Sequence, residues 1–136
     1  MFLEDGVVKF KREIKDNLVP SPAEVGELGF WRGVLHKRGL VGRNPKKYGG
    51  FGYGNLSQRT DLSETLVNKR VFIITGSQTG HLASLTPKDY SIVYEYYPER
   101  NLVVEGGLAR ASSESLTHGA IYNLDGSIGA VVHCHS

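Results

Sequence analysis

Two histidines near the end of the chain have the spacing of metal ligands. His133 and His135 follow Gly129-Ala130-Val131-Val132, a run that is typical of a β-strand. Side chains alternate between the two faces of a strand, so both imidazoles lie on one face and Cys134 lies on the other. A catalytic zinc ion takes three protein ligands and keeps one position open. The pair is therefore half of a zinc site, or two histidines that pack or hydrogen-bond at a strand end.

A carboxylate follows two serines at an expected helix start. Glu114 comes directly after Ser112 and Ser113, where free backbone amides and the helix dipole stabilise negative charge. Its carboxylate is either a helix cap or an acid that reaches into a cleft. The serine hydroxyls and nearby amides are also the donors that a phosphate or carboxylate ligand needs.

Two further clusters combine glycines with small polar residues. They are Gly54-Asn55-Leu56-Ser57 and Thr75-Gly76-Ser77-Gln78-Thr79-Gly80. Glycine lets backbone amides approach an anion closely, although the same residues also form ordinary turns. Each cluster alone leaves both interpretations open.

The order of these segments resembles the class II aldolase/adducin family over about residues 22–136. The quoted segments are Gly54-Asn55-Leu56-Ser57, Ile74-Thr75 leading to Thr79-Gly80, Ser112-Ser113-Glu114 with His118 and Ile121-Tyr122, and Ala130-Val131-Val132-His133-Cys134-His135. The resemblance implies that the anionic end of a substrate is held by Asn55, Thr79, Gly80, Ser112 and Ser113. It also implies zinc ligation by His133 and His135, and Glu114 as the catalytic acid/base. The Thr-Gly turn is longer here than the usual family form, so Thr75-Gly76 is an alternative anion contact.

The resemblance implies a zinc-dependent lyase. Its expected reaction is retro-aldol cleavage of a small phosphorylated or carboxylated hydroxy-ketone or sugar, with Zn²⁺ as the Lewis acid. The same scaffold supports epimerisation and dehydration. A non-catalytic, adducin-like binding or scaffold domain is the alternative from another functional class.

The resemblance also implies an architecture. It predicts a three-layer α/β/α domain with a central, largely antiparallel sheet over residues 22–136, preceded by an N-terminal arm at 1–21. The family's third histidine ligand lies downstream of the His-x-His strand, so we expect the domain to be truncated at its C-terminus. The expected assembly is a homo-oligomer or an association with the missing C-terminal segment.

The first helix is predicted from its cap. In Ser21-Pro22-Ala23-Glu24, serine and glutamate can satisfy each other's backbone amides while proline occupies the first helical position. This pattern predicts a helix over 22–38. Its expected apolar face consists of Val25, Leu28, Trp31 and Leu35.

The other elements follow from apolar runs and turn residues. We expect a short strand or arm at 7–14, a loop at 42–54, neighbouring strands at 55–59 and 71–75, one helical turn over 86–89, a hairpin of 91–97 with 102–105, a helix after Ser112-Ser113-Glu114 through Tyr122, and a buried strand at 128–133.

Composition limits the class of partner. With 40% hydrophobic residues and a formal net charge of +2, the chain is expected to be globular and to need neither nucleic acid nor a membrane. It has no apolar run of about 20 residues and no signal-peptide pattern at its start. We therefore expect a cytoplasmic protein. The family resemblance implies that its partner is a small anionic, sugar-like substrate.

Overall fold

The computed structural model describes residues 10–136, which form a mixed α/β structure. The helices are α1 (Pro22–Lys37) and α2 (Ser115–Leu124). The strands are β1 (Lys11–Asp16), β2 (Gly42–Arg43), β3 (Gly52–Tyr53), β4 (Asn55–Arg59), β5 (Phe72–Thr75), β6 (Tyr90–Tyr97), β7 (Leu102–Gly106) and β8 (Ala130–His133). None of the helices within this part of the chain is long and apolar enough to cross a membrane.

Six strands form the central sheet. Their order is β1-β7-β6-β5-β4-β8, and β2 pairs separately with β3. The pairing of β1 with β7 is parallel, whereas the other pairs in the sheet are antiparallel. The predicted mixed α/β class with a largely antiparallel sheet is confirmed.

The two faces of the sheet bury different clusters of side chains. Successive residues of β5 point to opposite faces, so Phe72 and Ile74 belong to one cluster and Ile73 to the other. Tyr122 of α2 packs in the first cluster, and Val25 and Leu28 of α1 pack in the second. The apolar run of β5 therefore supports a helix on each face.

The first helix begins as its cap predicts. The Ser21 hydroxyl accepts a hydrogen bond from the Glu24 amide at 3.2 Å, and the Glu24 carboxylate accepts one from the Ser21 amide at 2.9 Å. The expected apolar face is wrong at one position, because Trp31 is 50% exposed and Arg32 is 3% exposed in its place. Both residues follow Leu28 at helical spacing, and the polar acceptors near Arg32 decide which one is buried.

Several predicted elements coincide with the structure. The strand at 55–59, the turn after Thr86 with its capping box, and the hairpin joining β6 to β7 are confirmed. The predicted loop at 42–54 contains the short pair β2 and β3. The stretch expected at 7–14 begins outside the described residues, and its remainder enters edge strand β1.

The last strand was expected to be buried, and this prediction is wrong. β8 lies at the edge of the sheet, where β4 is its one neighbour in the order formed by residues 10–136. Val132 is consequently 52% exposed, whereas Val131 packs against the apolar cluster on the opposite face. An apolar run indicates that a strand forms, but the position of the strand in the sheet decides how far it is buried.

A glycine sets the distance between α2 and the sheet. A Cβ atom added to Gly119 would lie 2.3 Å from the ring of Tyr96, which is fully buried in β6. The helix can therefore pack this closely only with glycine at position 119.

We predict that Gly119→Ala destabilises the protein by about 1–3 kcal/mol, because the added methyl group forces α2 away from Tyr96. Gly26→Ala is the matched control, since Gly26 also lies inside a helix but an added Cβ meets nothing within 4 Å. That change should stabilise the protein by about 0.5–1 kcal/mol. Urea unfolding of both variants tests this, and an equal effect of the two changes would contradict it.

Candidate functional site

One pocket contains all eight residues that the sequence predicts for the site. Its volume is about 260 Å³, which suits a small ligand. The predicted residues that line it are Asn55, Thr79, Gly80, Ser112, Ser113, Glu114, His133 and His135. Segments separated by up to 80 positions in the sequence thus converge, although their chemical roles remain predictions.

The pairing of β4 with β8 brings two of these residues together. Asn55 lies directly opposite His133 in the antiparallel ladder, so their side chains share a face of the sheet. Ser57 lies opposite Val131 on the same face. The chain continues past β8, and the His135 amide donates to the carbonyl oxygen of Leu40 at 2.8 Å, which fixes the second histidine beside the first.

The two imidazoles lie close together, as period-two alternation predicts. Their ring centroids are 4.9 Å apart with an angle of 45° between the planes. The ring of Tyr48 packs edge-on against His135 at 4.6 Å, and the ring of Tyr53 lies 5.4 Å from it. Two aromatic residues therefore restrict the orientation of the His135 ring.

The donor set fits part of a zinc site. Two imidazole nitrogens and the carboxylate of Glu114 line one pocket, and these are donor types that zinc accepts. Across residues 10–136, however, no three His, Cys, Asp or Glu side chains are grouped closely enough to hold a metal ion. The geometry thus supplies two adjacent donors, His133 and His135.

Glu114 occupies the helix-capping position without acting as a cap. It is the residue before α2, but its side chain makes no capping hydrogen bond. Its carboxylate is half-buried, lines the pocket, and accepts a long hydrogen bond of 3.4 Å from the Thr117 hydroxyl. The geometry therefore favours the second sequence interpretation, in which the carboxylate reaches into a cleft.

The two serines before Glu114 have different surroundings. The Ser112 hydroxyl is buried and accepts from the Glu114 amide at 3.2 Å, while the Ser112 carbonyl accepts from Ser115. The Ser113 side chain is half-buried at the pocket wall. Ser112 thus shapes the turn into α2, and Ser113 presents the more accessible hydroxyl.

An internal hydrogen bond stabilises the turn that contains Thr79 and Gly80. The Thr79 hydroxyl donates to the carbonyl oxygen of Gly76 at 2.9 Å, which closes the turn. A Cβ atom on Gly80 would lie 2.4 Å from the carbonyl oxygen of Gly42. Glycine at position 80 is therefore required by packing. Both Thr75-Gly76 and Thr79-Gly80 line the pocket, so the alternative left by the sequence remains.

A buried hydrogen-bond chain lies beneath the pocket. Nε2 of His118 is 2.5 Å from Oδ1 of Asn55, and Nδ1 is 2.6 Å from the Ser57 hydroxyl. The Ser57 hydroxyl is also 2.7 Å from the hydroxyl of Tyr122. A carboxamide oxygen can only accept, so the neutral imidazole carries its proton on Nε2 and accepts from Ser57 at Nδ1. Asn55 is thereby oriented with its amino group left to donate.

Burial keeps this imidazole neutral. Desolvation lowers the pKa of His118 to about 3, with a smaller contribution from the charge of His133. Desolvation also raises the pKa of Tyr122 to about 12. The chain therefore keeps fixed donor and acceptor roles across the physiological pH range.

Sequence reasoning missed several residues that line the pocket, among them Tyr48, Tyr53 and Arg32. Tyr48 and Tyr53 come from the glycine-rich segment that was predicted to be only a loop, and Arg32 comes from α1. Tyr48 adopts a left-handed backbone with φ of 53°, which is uncommon for a residue other than glycine. The signal for the tyrosines was the alternation of aromatics with glycines over 48–54. Arg32 was signalled by its position four residues after Leu28.

Comparison with known proteins gives one match. Residues 45–136, more than half of the chain, match the family described as class II aldolase and adducin N-terminal domain. No curated protein and no solved structure matches the chain. The matched range contains all eight predicted site residues, whereas Arg32 lies outside it.

We predict that His118 makes the protein less stable in acid. Its pKa is lower in the folded state, about 3, than the usual value near 6.5, so the unfolded chain binds a proton that the folded chain excludes. As the pH falls from about 6.5 towards 3, this residue should lower the free energy of unfolding by up to about 1.4 kcal/mol per pH unit. Above that window its contribution is constant.

Urea unfolding at several pH values should show a shallower acid loss for His118→Asn than for the wild type. His81→Asn is the control, because His81 is exposed and does not line the pocket. It should retain the wild-type slope. The prediction is wrong if the wild type and His118→Asn lose stability in parallel.

Proposed function

Because the chain belongs to the class II aldolase and adducin N-terminal domain family, we propose that it is a zinc-dependent lyase. Its substrate would be a small phosphorylated or carboxylated hydroxy-ketone or sugar, cleaved by a retro-aldol reaction. The observation that carries the proposal is the convergence of a histidine pair, a non-capping glutamate and three clusters of polar donors in one small pocket.

The anionic end of the substrate would be bound at one side of this pocket. The Asn55 amino group, the Ser113 hydroxyl and the Gly80 backbone N–H would be its donors, because these residues line the pocket and the Asn55 oxygen is already engaged by His118. Each is held by a separate element, namely β4, the turn before α2, and the turn after β5. Donors fixed in this way need little reordering when an anion binds.

The other side of the pocket would hold the reacting carbons. His133 and His135 would hold the zinc ion, which when bound supplies a Lewis acid that polarises the substrate carbonyl. The remaining coordination positions would be left to a third ligand and to the substrate. Tyr48 and Tyr53 restrict the His135 ring, which lowers the cost of presenting its nitrogen.

Glu114 would move the proton. Its carboxylate takes the hydroxyl proton of the substrate as the carbon–carbon bond breaks and a carbonyl forms on one product. The electron pair of that bond remains on a carbon of the second product. The Glu114 carboxyl then returns the proton to this carbon, so the reaction needs no oxidant or reductant. The same groups could serve an epimerase or a dehydratase, which product identification would separate from a lyase.

A non-catalytic, adducin-like binding domain is the second candidate. The observation in its favour is that no three metal-donor side chains are grouped together in the described part of the chain. Such a domain would retain the pocket without needing a tightly bound ion. Zinc content and zinc-dependent turnover distinguish the two candidates.

We predict that zinc binds to the chain with its affinity set by the imidazole pair, because these are the adjacent donors in the pocket. The double variant His133→Ala/His135→Ala should lose zinc binding in calorimetry. His81→Ala should bind zinc like the wild type, since His81 lies outside the pocket. Wild-type affinity in the double variant would overturn the metal assignment.

A further prediction concerns the proton carrier. Glu114→Gln should reduce aldol cleavage by about 10²–10⁴-fold, because the amide cannot accept a proton, while zinc binding persists. Glu99→Gln provides the control, since Glu99 is exposed in the turn between β6 and β7. Cleavage assays across a panel of phosphorylated sugars and hydroxy-acids measure this. Equal rates for Glu114→Gln and the wild type would exclude the role.

A further inference from the structure

A buried arginine lies at the wall of the pocket. Arg32 is 3% exposed, projects from α1, and lines the pocket beside Thr79 and Gly80. Its Nη1 donates to the carbonyl oxygen of Leu82 at 2.5 Å, and its Nη2 donates to that of Thr79 at 3.1 Å. The guanidinium therefore sits against the turn that is expected to contact an anion.

Among residues 10–136, no carboxylate lies within ion-pair distance of Arg32, and Asp89 acts on its charge only from farther away. The ion pairs in this part of the chain involve other cations, Arg12, Lys69 and Arg110. Burial lowers the pKa of Arg32, with weaker opposing effects from Tyr90 and Asp89. An arginine nevertheless stays protonated in proteins, so a positive charge that two neutral carbonyls solvate remains at the wall of the pocket.

Arg32 also orients the peptide group between Thr79 and Gly80. In a trans peptide, the carbonyl and the following N–H point in opposite directions. Because the Thr79 carbonyl points to Arg32, the Gly80 N–H points away from it. A ligand oxygen that binds to the Gly80 N–H would therefore face the positive end of the peptide dipole. The positive charge of Arg32, behind the same peptide, would attract that oxygen as well.

The surrounding sequence has the same sign of charge. Residues 28–60 contain no aspartate or glutamate. Their cations are Arg32, Lys37, Arg38, Arg43, Lys46, Lys47 and Arg59. The chain as a whole has a formal net charge of only +2, so positive charge is concentrated in a segment that supplies part of the pocket lining, with Arg32 the one of these cations that lines the pocket itself. Such a concentration attracts anions.

We propose that Arg32 is a specificity-determining residue that selects a dianionic terminal group, such as a phosphate monoester, over a singly charged or neutral one. This inference rests on the anion-binding part of the proposed function and is independent of zinc and of turnover. A second negative charge on the ligand compensates the guanidinium charge, which has no carboxylate within ion-pair distance among residues 10–136. A neutral sugar leaves that charge buried and unpaired.

Two other buried arginines hold backbone carbonyls away from the pocket, and they serve as examples of a structural role. Arg70 donates to the carbonyl oxygens of Tyr122 and Thr65, and Arg59 donates to four carbonyl oxygens. Neither lines this pocket. Arg70→Gln is therefore a matched control, because it removes a buried guanidinium that also rests on two carbonyls but lies elsewhere.

The test uses inorganic phosphate and acetate as dianionic and monoanionic probes, without zinc. We expect phosphate to bind to Arg32→Gln about tenfold more weakly than to the wild type in calorimetry, because the positive charge behind the Thr79–Gly80 peptide is lost. Arg70→Gln should bind phosphate like the wild type, and acetate should respond much less to either change. Wild-type phosphate affinity in Arg32→Gln would overturn the proposal.

The wild-type protein provides a test that does not depend on the folding of a variant. In side-chain ¹⁵N NMR, phosphate should shift the Arg32 Nε–H resonance, assigned with Arg32→Lys, and leave that of Arg70 in place. An Arg32 resonance that stays unmoved at saturating phosphate would also overturn the proposal. Zinc affinity of Arg32→Gln should equal that of the wild type. A failure of the zinc assignment and a failure of the Arg32 proposal would therefore give different experimental results.

Discussion

The register between β4 and β8 is the constraint on which the candidate site depends. It places Asn55 opposite His133 and Ser57 opposite Val131, so the polar donors of β4 and the imidazole of His133 share a face of the sheet, and His135 follows two residues later. A slip of one residue would turn both histidines to the face where Val132 is now exposed. The partly buried Val131 opposes that slip, because it would be moved away from the apolar cluster against which it packs.

The buried hydrogen bonds beneath the pocket constrain the site as well. His118 links α2 to β4 through Asn55 and Ser57, and the low pKa imposed by burial keeps the link in one protonation state. Gly119, next to His118, lets α2 come close enough to the sheet for these bonds to form. Packing and polar contacts thus determine together which group Asn55 offers to a ligand.

Local chemistry made much of this structure predictable. The capping boxes at Ser21 and Thr86 involve residues three apart, and the His-x-His face follows from strand alternation, so both could be read from neighbouring residues. The order of the polar clusters indicated the family, which the match over residues 45–136 confirms. Tertiary contacts decided the rest. The burial of Arg32 instead of Trp31 depends on distant carbonyls, and the exposure of β8 depends on strand order, which no local pattern encodes.

In the proposed function, the imidazole pair and the anion donors serve a single ligand site. The most direct measurement is ³¹P NMR relaxation of inorganic phosphate bound to the protein loaded with paramagnetic Co²⁺ in place of zinc. We expect strong relaxation enhancement in the wild type, because metal and phosphate would occupy one pocket, and loss of this enhancement in His133→Ala/His135→Ala. Bound phosphate whose relaxation is unaffected by bound Co²⁺, or is affected equally in the double variant, would contradict this expectation.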